Sequence, residues 1–317
     1  MKSIPTLQDI KNAHQRIQKY IHRTPVFTSQ QLNNETGNQI YLKCENFQKV
    51  GAFKFRGASN VVFSFEDEFA ERGVATHSSG NHAQAIALAA KMRGIPAYIV
   101  MPENSPQVKK KAVAGYGGII RYCKSTLSAR EEVLQEVIQE TGAHYIPSYD
   151  DPGIIAGQGT ATFELLQDHP DLDVIMAPVG GGGLLSGTSI SAKNVNPDVT
   201  VIGAEPANAD DAYRSFKSGK RQPIKTNDTI ADGLRTELSD LTFSIIYKNT
   251  DDIITVSEEA IISAMRFIWE RMKIIIEPSS AVPIAVLMEQ KLSVENKKIG
   301  VIISGGNVDL EKLPWMS

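Results

Sequence analysis

Four short stretches carry residue types that could share one chemistry. Lys54 stands in VGAFKFRGA (50–58), flanked by Phe53 and Phe55 and by small residues. A lysine is ordinarily a solvated surface group. Apolar flanks would depress its pKa and make the amine a better nucleophile toward an aldehyde, as a Schiff-base lysine requires. Gly180-Gly181-Gly182-Gly183 follows an apolar run and precedes a helical pattern. Residues without Cβ let backbone N–H groups approach an anion, and the helix adds its positive end, so a phosphate fits there. Ser78-Ser79-Gly80-Asn81-His82 offers hydroxyls, an amide and helix-start N–H groups suited to a carboxylate, or else a plain N-cap with a turn glycine. Ser304-Gly305-Gly306-Asn307 is a second small-polar segment after an apolar run.

Which phosphate the glycines would hold is a separate question. The dinucleotide pattern GxGxxG fails, because Leu185 and Ser186 occupy the place of its last glycine, and no Gly-Lys-Ser/Thr completes a Walker loop. Glu205 lies about 20 residues on, where a ribose-binding acid would stand, which keeps a nucleotide-dependent oxidoreductase open as a rival. The histidines show no metal spacing and HExxH is absent.

The elements that must position these residues alternate in type. Apolar runs at 73–78, 97–102, 118–123 and 144–148, and again at 174–180, 200–206 and 298–304, read as strands. Between them lie helical periods: Ala83, Ile86, Ala87 and Ala90 ending at Gly94; a start at Ser105-Pro106; Val133, Leu134, Val137 and Ile138; a segment from Leu184; and a start at Ser257 with Glu258 and Glu259. Apolar strands separated by amphipathic helices predict an α/β fold with parallel sheets covered on both faces. The stretch 207–256 reads as polar and irregular.

The 317 residues suggest about two domains at the usual ~150 residues each. Lys+Arg 33 against Asp+Glu 36 leaves a net charge of −3, too little positive field to hold nucleic acid as a main partner. Cys44 and Cys123 are too few for a disulfide framework or a zinc cluster. No secretory leader and no run of about 18 apolar residues is present, so a soluble, cytoplasmic protein is expected, with no membrane partner.

A phosphate loop, a Schiff-base lysine and two small-polar strand ends together describe a site for pyridoxal 5′-phosphate. The sequence resembles the fold-type II pyridoxal-phosphate enzymes, in the serine racemase and serine/threonine dehydratase branch. The resemblance runs through HRTPV (22–26), GAFKFRGA, SSGNHAQ, IAGQGT (155–160), GGGG, EPANADD (205–211), ADGL (231–234), IEPSSA and SGGNVDL. It implies a two-domain, tryptophan synthase β-like enzyme, with residues 1–50 and 147–317 forming a large cofactor-binding domain and 51–146 a small mobile one. It implies Lys54 as the Schiff-base lysine, Phe53 as a neighbour of the cofactor ring and Gly180 to Gly183 with Leu184 as the phosphate cradle. Asn81 would face the phenolic oxygen and Ser304 the pyridine nitrogen. Ser78, Ser79, Asn81 and His82 resemble the substrate-carboxylate loop, approached by Arg130 on closure, and Tyr149 stands where some relatives carry asparagine. Ser79 would be the second proton donor of a racemase, since many plain threonine dehydratases carry alanine there. The same resemblance implies Mg²⁺ or Ca²⁺ at Glu205, Asp211 and the Ala209 carbonyl. It implies ATP as an activator at Lys49, Gln84, Tyr116, Lys273 and Asn307, and a homodimer. The expected activity is serine racemisation with concurrent L-serine and L-threonine dehydration. Threonine or 3-hydroxyaspartate dehydration without racemisation is the alternative.

Overall fold

A computed structural model describes residues 2–316 as two parallel sheets with helices on their faces. Ten strands form them: β1 (Val26–Phe27), β2 (Gln39–Cys44), β3 (Val74–His77), β4 (Ala97–Pro102), β5 (Ile119–Cys123), β6 (His144–Tyr145), β7 (Val174–Pro178), β8 (Thr200–Pro206), β9 (Asp252–Val256) and β10 (Lys298–Ile303). The larger sheet has the order β1-β2-β10-β7-β8-β9 and the smaller β5-β4-β3-β6. Every pairing is parallel except β1 with β2.

Strand alternation divides the large sheet's side chains between two cores. Val174, Met176, Ile202, Val301 and Ile303 pack with the helices Glu258–Met272 and Pro278–Met288. Ile175, Ala177, Val201 and Ile302 pack with Leu165, Leu166, Leu184 and Leu185 from the helices Pro152–Asp168 and Gly183–Val195. Both faces are covered, which is why the strands read as continuous apolar runs rather than alternating ones. Around the small sheet, Val74, Ile99 and Met101 share a core with Phe55, Ala58 and Val62 of the helix Lys54–Val62 and with Ala83 to Ala90 of the helix Asn81–Arg93.

The reactive ends of these strands gather at one edge, because parallel strands all present their carboxyl ends to the same side and ligands collect there. Beneath that edge lies a buried charge cluster. The Arg56 guanidinium donates to both oxygens of Glu45 at 2.7 and 2.9 Å and to both oxygens of Glu164 at 2.9 Å, and Lys43 adds a 2.8 Å bond to Glu164. Its members come from β2, from the turn after it and from the helices at 54 and 152, so the segment that carries Lys54 is fixed by four buried charges. Removing one partner of such a cluster would leave a charge uncompensated, at roughly 3–5 kcal/mol.

Two expectations are corrected. The stretch 207–256 is irregular only in part: 219–231 carries no helix or strand, as expected of SGKRQPIKTND, but the helices Asp211–Ser218 and Asp240–Asn249 and strand β9 lie on either side, too short for their periodicity to stand out. The helix expected from Ser105-Pro106 begins at Gln107, with Pro106 in extended conformation (ψ 139°) as its flanking residue, so Ser105 does not cap it.

Candidate active site

The chain turns sharply after β2 to deliver Lys54. Val50 (φ 58°) and Gly51 (φ 67°) both adopt the left-handed conformation, unusual for the β-branched Val50. Ala52 then bridges to Gly305, and the Phe53 N–H donates to the Ser304 carbonyl at 2.9 Å. Lys54 is thereby stitched against the end of β10. Its ammonium donates to the Ser148 carbonyl at 2.7 Å and lies 5.1 Å from the centre of the Phe53 ring. Burial pulls its pKa down to about 8, against the opposing pull of the Glu277 carboxylate. The neutral amine that a nucleophile or base needs is thereby far easier to reach than in an ordinary lysine.

Beyond β7, Gly180 to Gly183 lead into the helix Gly183–Val195, whose start has no side-chain cap. Its first-turn N–H groups are unpartnered by the helix itself and therefore open to an anion. Gly182, at φ 86°, needs glycine for its conformation. The other glycines need it for space, since a Cβ on Gly180 would meet the Leu234 backbone at 2.7 Å and one on Gly181 the Tyr149 ring at 2.4 Å.

At the end of β3, Gly80 occupies the cap position of the helix Asn81–Arg93 and no side chain caps it, so the capping alternative for this motif falls away. The Ser78 hydroxyl accepts from the Gly80 N–H at 3.3 Å, and the hydroxyl of the half-buried Ser79 makes no hydrogen bond among the described residues. Asn81 donates its amide to both oxygens of Glu277 at 3.1 and 3.0 Å and accepts from Asn307 at 2.9 Å. The His82 ring turns inward to the Ile146 carbonyl at 3.1 Å, and burial, with Lys54 nearby, drops its pKa to about 3. His82 is neutral, and it can meet an anion only through its backbone N–H. At the end of β10, the Ser304 hydroxyl pairs with that of Ser280 at 3.0 Å, a neutral partner for a ring nitrogen.

Arg130, in the helix Leu127–Thr141, has a buried Nε without a partner and forms no ion pair among the described residues. Of the residues expected to hold a nucleotide, Asn307 alone touches this cluster, through Asn81, Glu277 and the Val50 carbonyl. Lys49 lies 6.0 Å from the Phe55 ring centre, Gln84 is buried, Tyr116 closes the helix Gln107–Gly115 and Lys273 reaches the Glu270 carbonyl at 2.5 Å.

Glu205 is buried, and its two oxygens accept from the N–H groups of Ala212 and Tyr213 at 2.9 and 2.8 Å. That leaves no role for it as a ribose partner. Burial and the facing Asp211 push its pKa well up; burial likewise raises Asp211 to about 6, and Asp211 Oδ1 is buried without a partner. Two acids and an orphaned oxygen suit a hard cation with oxygen ligands. Among the described residues no group of three or more His, Cys, Asp or Glu gathers as a metal site.

The sequence reading missed Glu277. It occupies the cap position before Pro278 at a helix start, and its side chain makes no capping bond there. Its carboxyl is buried beneath Asn81, and burial, with Asp232 nearby, raises its pKa to about 7. Also missed was the contact of Tyr149 with the glycine loop, which no local pattern announces.

Three comparisons show what the chain is similar to. The family described as pyridoxal-phosphate dependent enzyme matches residues 17–305. A serine racemase of Dictyostelium discoideum is 52% identical over 97% of this chain and 96% of its own. The beta-hydroxyaspartate dehydratase of Paracoccus denitrificans is 49% identical over 98% and 99%. The crystal structure of Dictyostelium discoideum serine racemase superposes with a TM-score of 0.94, at 51% identity, covering 97% of this chain and 100% of that one.

Proposed function

The chain belongs to the pyridoxal-phosphate dependent enzymes, and we propose that within them it is a serine racemase that also dehydrates L-serine and L-threonine to a keto acid and ammonia. The observation that carries the racemase part is the Ser79 hydroxyl, half-buried and unbonded in the strand-end loop next to Asn81. The rival reading, a threonine or 3-hydroxyaspartate dehydratase without racemisation, draws on the Paracoccus denitrificans relative.

The uncapped glycine loop, the part-buried Lys54 and the Ser304–Ser280 hydroxyl pair fit the cofactor, with Leu184 and Phe53 beside them. When bound, pyridoxal 5′-phosphate supplies an aldehyde for the amine and an electron-withdrawing ring that stabilises negative charge at the substrate Cα. The loop N–H groups would hold the phosphate, and the Asn81 amide, which now donates to Glu277, would turn to the phenolic oxygen. The neutral Ser304 hydroxyl would give the ring nitrogen no carboxylate partner and so would restrain electron withdrawal, which suits elimination and racemisation. Lys54, lowered to about 8, takes the Cα proton as general base. Ser79 would return a proton from the other face to give the enantiomer, whereas loss of the β-hydroxyl with a proton as water, followed by hydrolysis of the released enamine by water, gives keto acid and ammonia. Ser78, Asn81 and the His82 N–H hold the substrate carboxylate, and Arg130 closes on it.

The same reading includes a divalent cation at Glu205, Asp211 and the Ala209 carbonyl, an activating nucleotide near Asn307, a homodimer, and residues 51–146 as the smaller, mobile body. No helix among the described residues is long and apolar enough to cross a membrane, and we place the enzyme in the cytoplasm.

The test is to assay D-serine, pyruvate and 2-oxobutyrate from L-serine and L-threonine, with wild type and Ser79→Ala. D-serine formation is expected to vanish in the variant while pyruvate formation stays within about tenfold, ~1.4 kcal/mol in barrier. Absence of D-serine with wild-type enzyme, or unchanged racemisation by the variant, would make the chain a dehydratase.

A further inference from the structure

We infer that the Tyr149 ring is the back wall of the phosphate-holding loop, a positioning residue that sets the shape of Gly180–Gly183 and joins it to the reactive lysine. This rests on the family's cofactor being held at that loop. A Cβ on Gly181 would lie 2.4 Å from Cδ1, 2.5 Å from Cε1 and 2.6 Å from Cγ of Tyr149, and one on Gly183 would lie 2.9 Å from its Cβ. Gly181 is therefore demanded by the ring itself, and Gly183 by the Cβ and Cα of the same residue, whatever the loop binds. The residue before it, Ser148, accepts the Lys54 ammonium on its carbonyl at 2.7 Å. One dipeptide thus touches both the amine and the cradle.

The ring, and not the hydroxyl, makes the contact, because the atoms nearest to a Cβ on Gly181 are Cδ1, Cε1 and Cγ, and the hydroxyl of this half-buried residue has no hydrogen-bond partner among the described residues. Four successive glycines are conformationally loose, and an anion site built on them gains only if something else removes that freedom. The Leu234 backbone, 2.7 Å from a Cβ on Gly180, and Leu238, 2.7 Å from one on Gly182, close two sides. Tyr149 closes a third. What stays open is the side of the N–H groups at the helix start.

The experiment titrates pyridoxal 5′-phosphate into apoenzyme, reading the visible absorbance of the Schiff base, alongside thermal unfolding of each apoprotein. Tyr149→Phe should bind the cofactor as wild type does. Tyr149→Ala should bind it about tenfold more weakly, and Gly181→Ala, which drives a methyl into the ring, about a hundredfold more weakly. Combining the two should recover at least about tenfold over Gly181→Ala alone, the coupling that contacting residues show. If Tyr149→Ala fails to fold, Tyr149→Leu carries the same comparison, since it removes the planar ring and keeps the bulk. Wild-type binding with no rescue in the double variant, or a Gly181→Ala variant that binds normally, overturns the inference alone. A wild-type chain that takes up no cofactor overturns the cofactor reading and this inference with it.

Discussion

Replacing Glu277 with glutamine should make the apoprotein more stable at neutral pH and slightly less stable in acid. The Glu277 carboxyl is 4% exposed, and burial, ahead of the nearby Asp232, lifts its pKa from an ordinary 4.5 to about 7. Below about pH 4.5 both folded and unfolded chains carry the proton and the shift costs nothing. Between about pH 4.5 and about pH 7 the unfolded chain releases a proton that the folded chain keeps, so stability falls as pH rises. Above that window the full cost remains. A shift from 4.5 to about 7 is 2.5 units, and at ~1.36 kcal/mol each the cost is about 3 kcal/mol. Glutamine removes the ionisation but turns a donor toward the Asn307 N–H, which now bonds Oε2 at 3.2 Å, at a loss of roughly 1 kcal/mol. The net expectation is a gain of about 2 kcal/mol above neutrality and a loss of about 1 kcal/mol in acid. Glu205 and Asp211 titrate in the same direction, so the quantity to measure is the difference between variant and wild type in urea unfolding across that range. A difference that does not change with pH would refute the reasoning. The expected pH-dependent gain would show that the carboxylate costs stability for the sake of the site, since it holds Asn81 and raises the pKa of Lys54.

Lys54→Ala should fold, keep weak cofactor binding through the intact glycine loop and lose both racemisation and dehydration; substantial turnover by the reconstituted variant would sink the lysine's assignment. Chelator treatment should lower both thermal stability and activity through the Glu205–Asp211 site, whose carboxylates are then left facing each other with Asp211 Oδ1 unpaired. Unchanged stability and activity after chelation, with no metal detected in the pure protein, would rule that site out.

What the sequence made legible was whatever repeats at short range. The runs at 97–102 and 200–206 coincide with β4 and β8, because strands buried on both faces must be apolar throughout. The helix with Ser257 as its cap follows from hydroxyl and acid chemistry confined to one turn. The short helices of 207–256 and the helix Pro152–Asp168 were not read, the latter because its small residues and threonines are chosen for contact with a neighbour. A Cβ on Gly159 would meet the Gly187 carbonyl at 2.8 Å and one on Gly157 the Gly57 Cα at 2.5 Å, so that helix is shaped by close backbone approach rather than by an apolar stripe. The site divides the same way. Lys54 and the glycine loop could be found because each has a local signature. Glu277 and Tyr149 act through partners 196 and about 30 residues away in the chain, Asn81 and Gly181, and their roles arise only when β3, β7 and β10 bring their ends together. A glycine quartet therefore records two constraints at once. Close approach requires three of them, Gly180 against the Leu234 backbone, Gly181 against the Tyr149 ring and Gly183 against the Tyr149 Cβ, and a left-handed backbone requires Gly182, so counting glycines measures the loop's packing as much as its ligand.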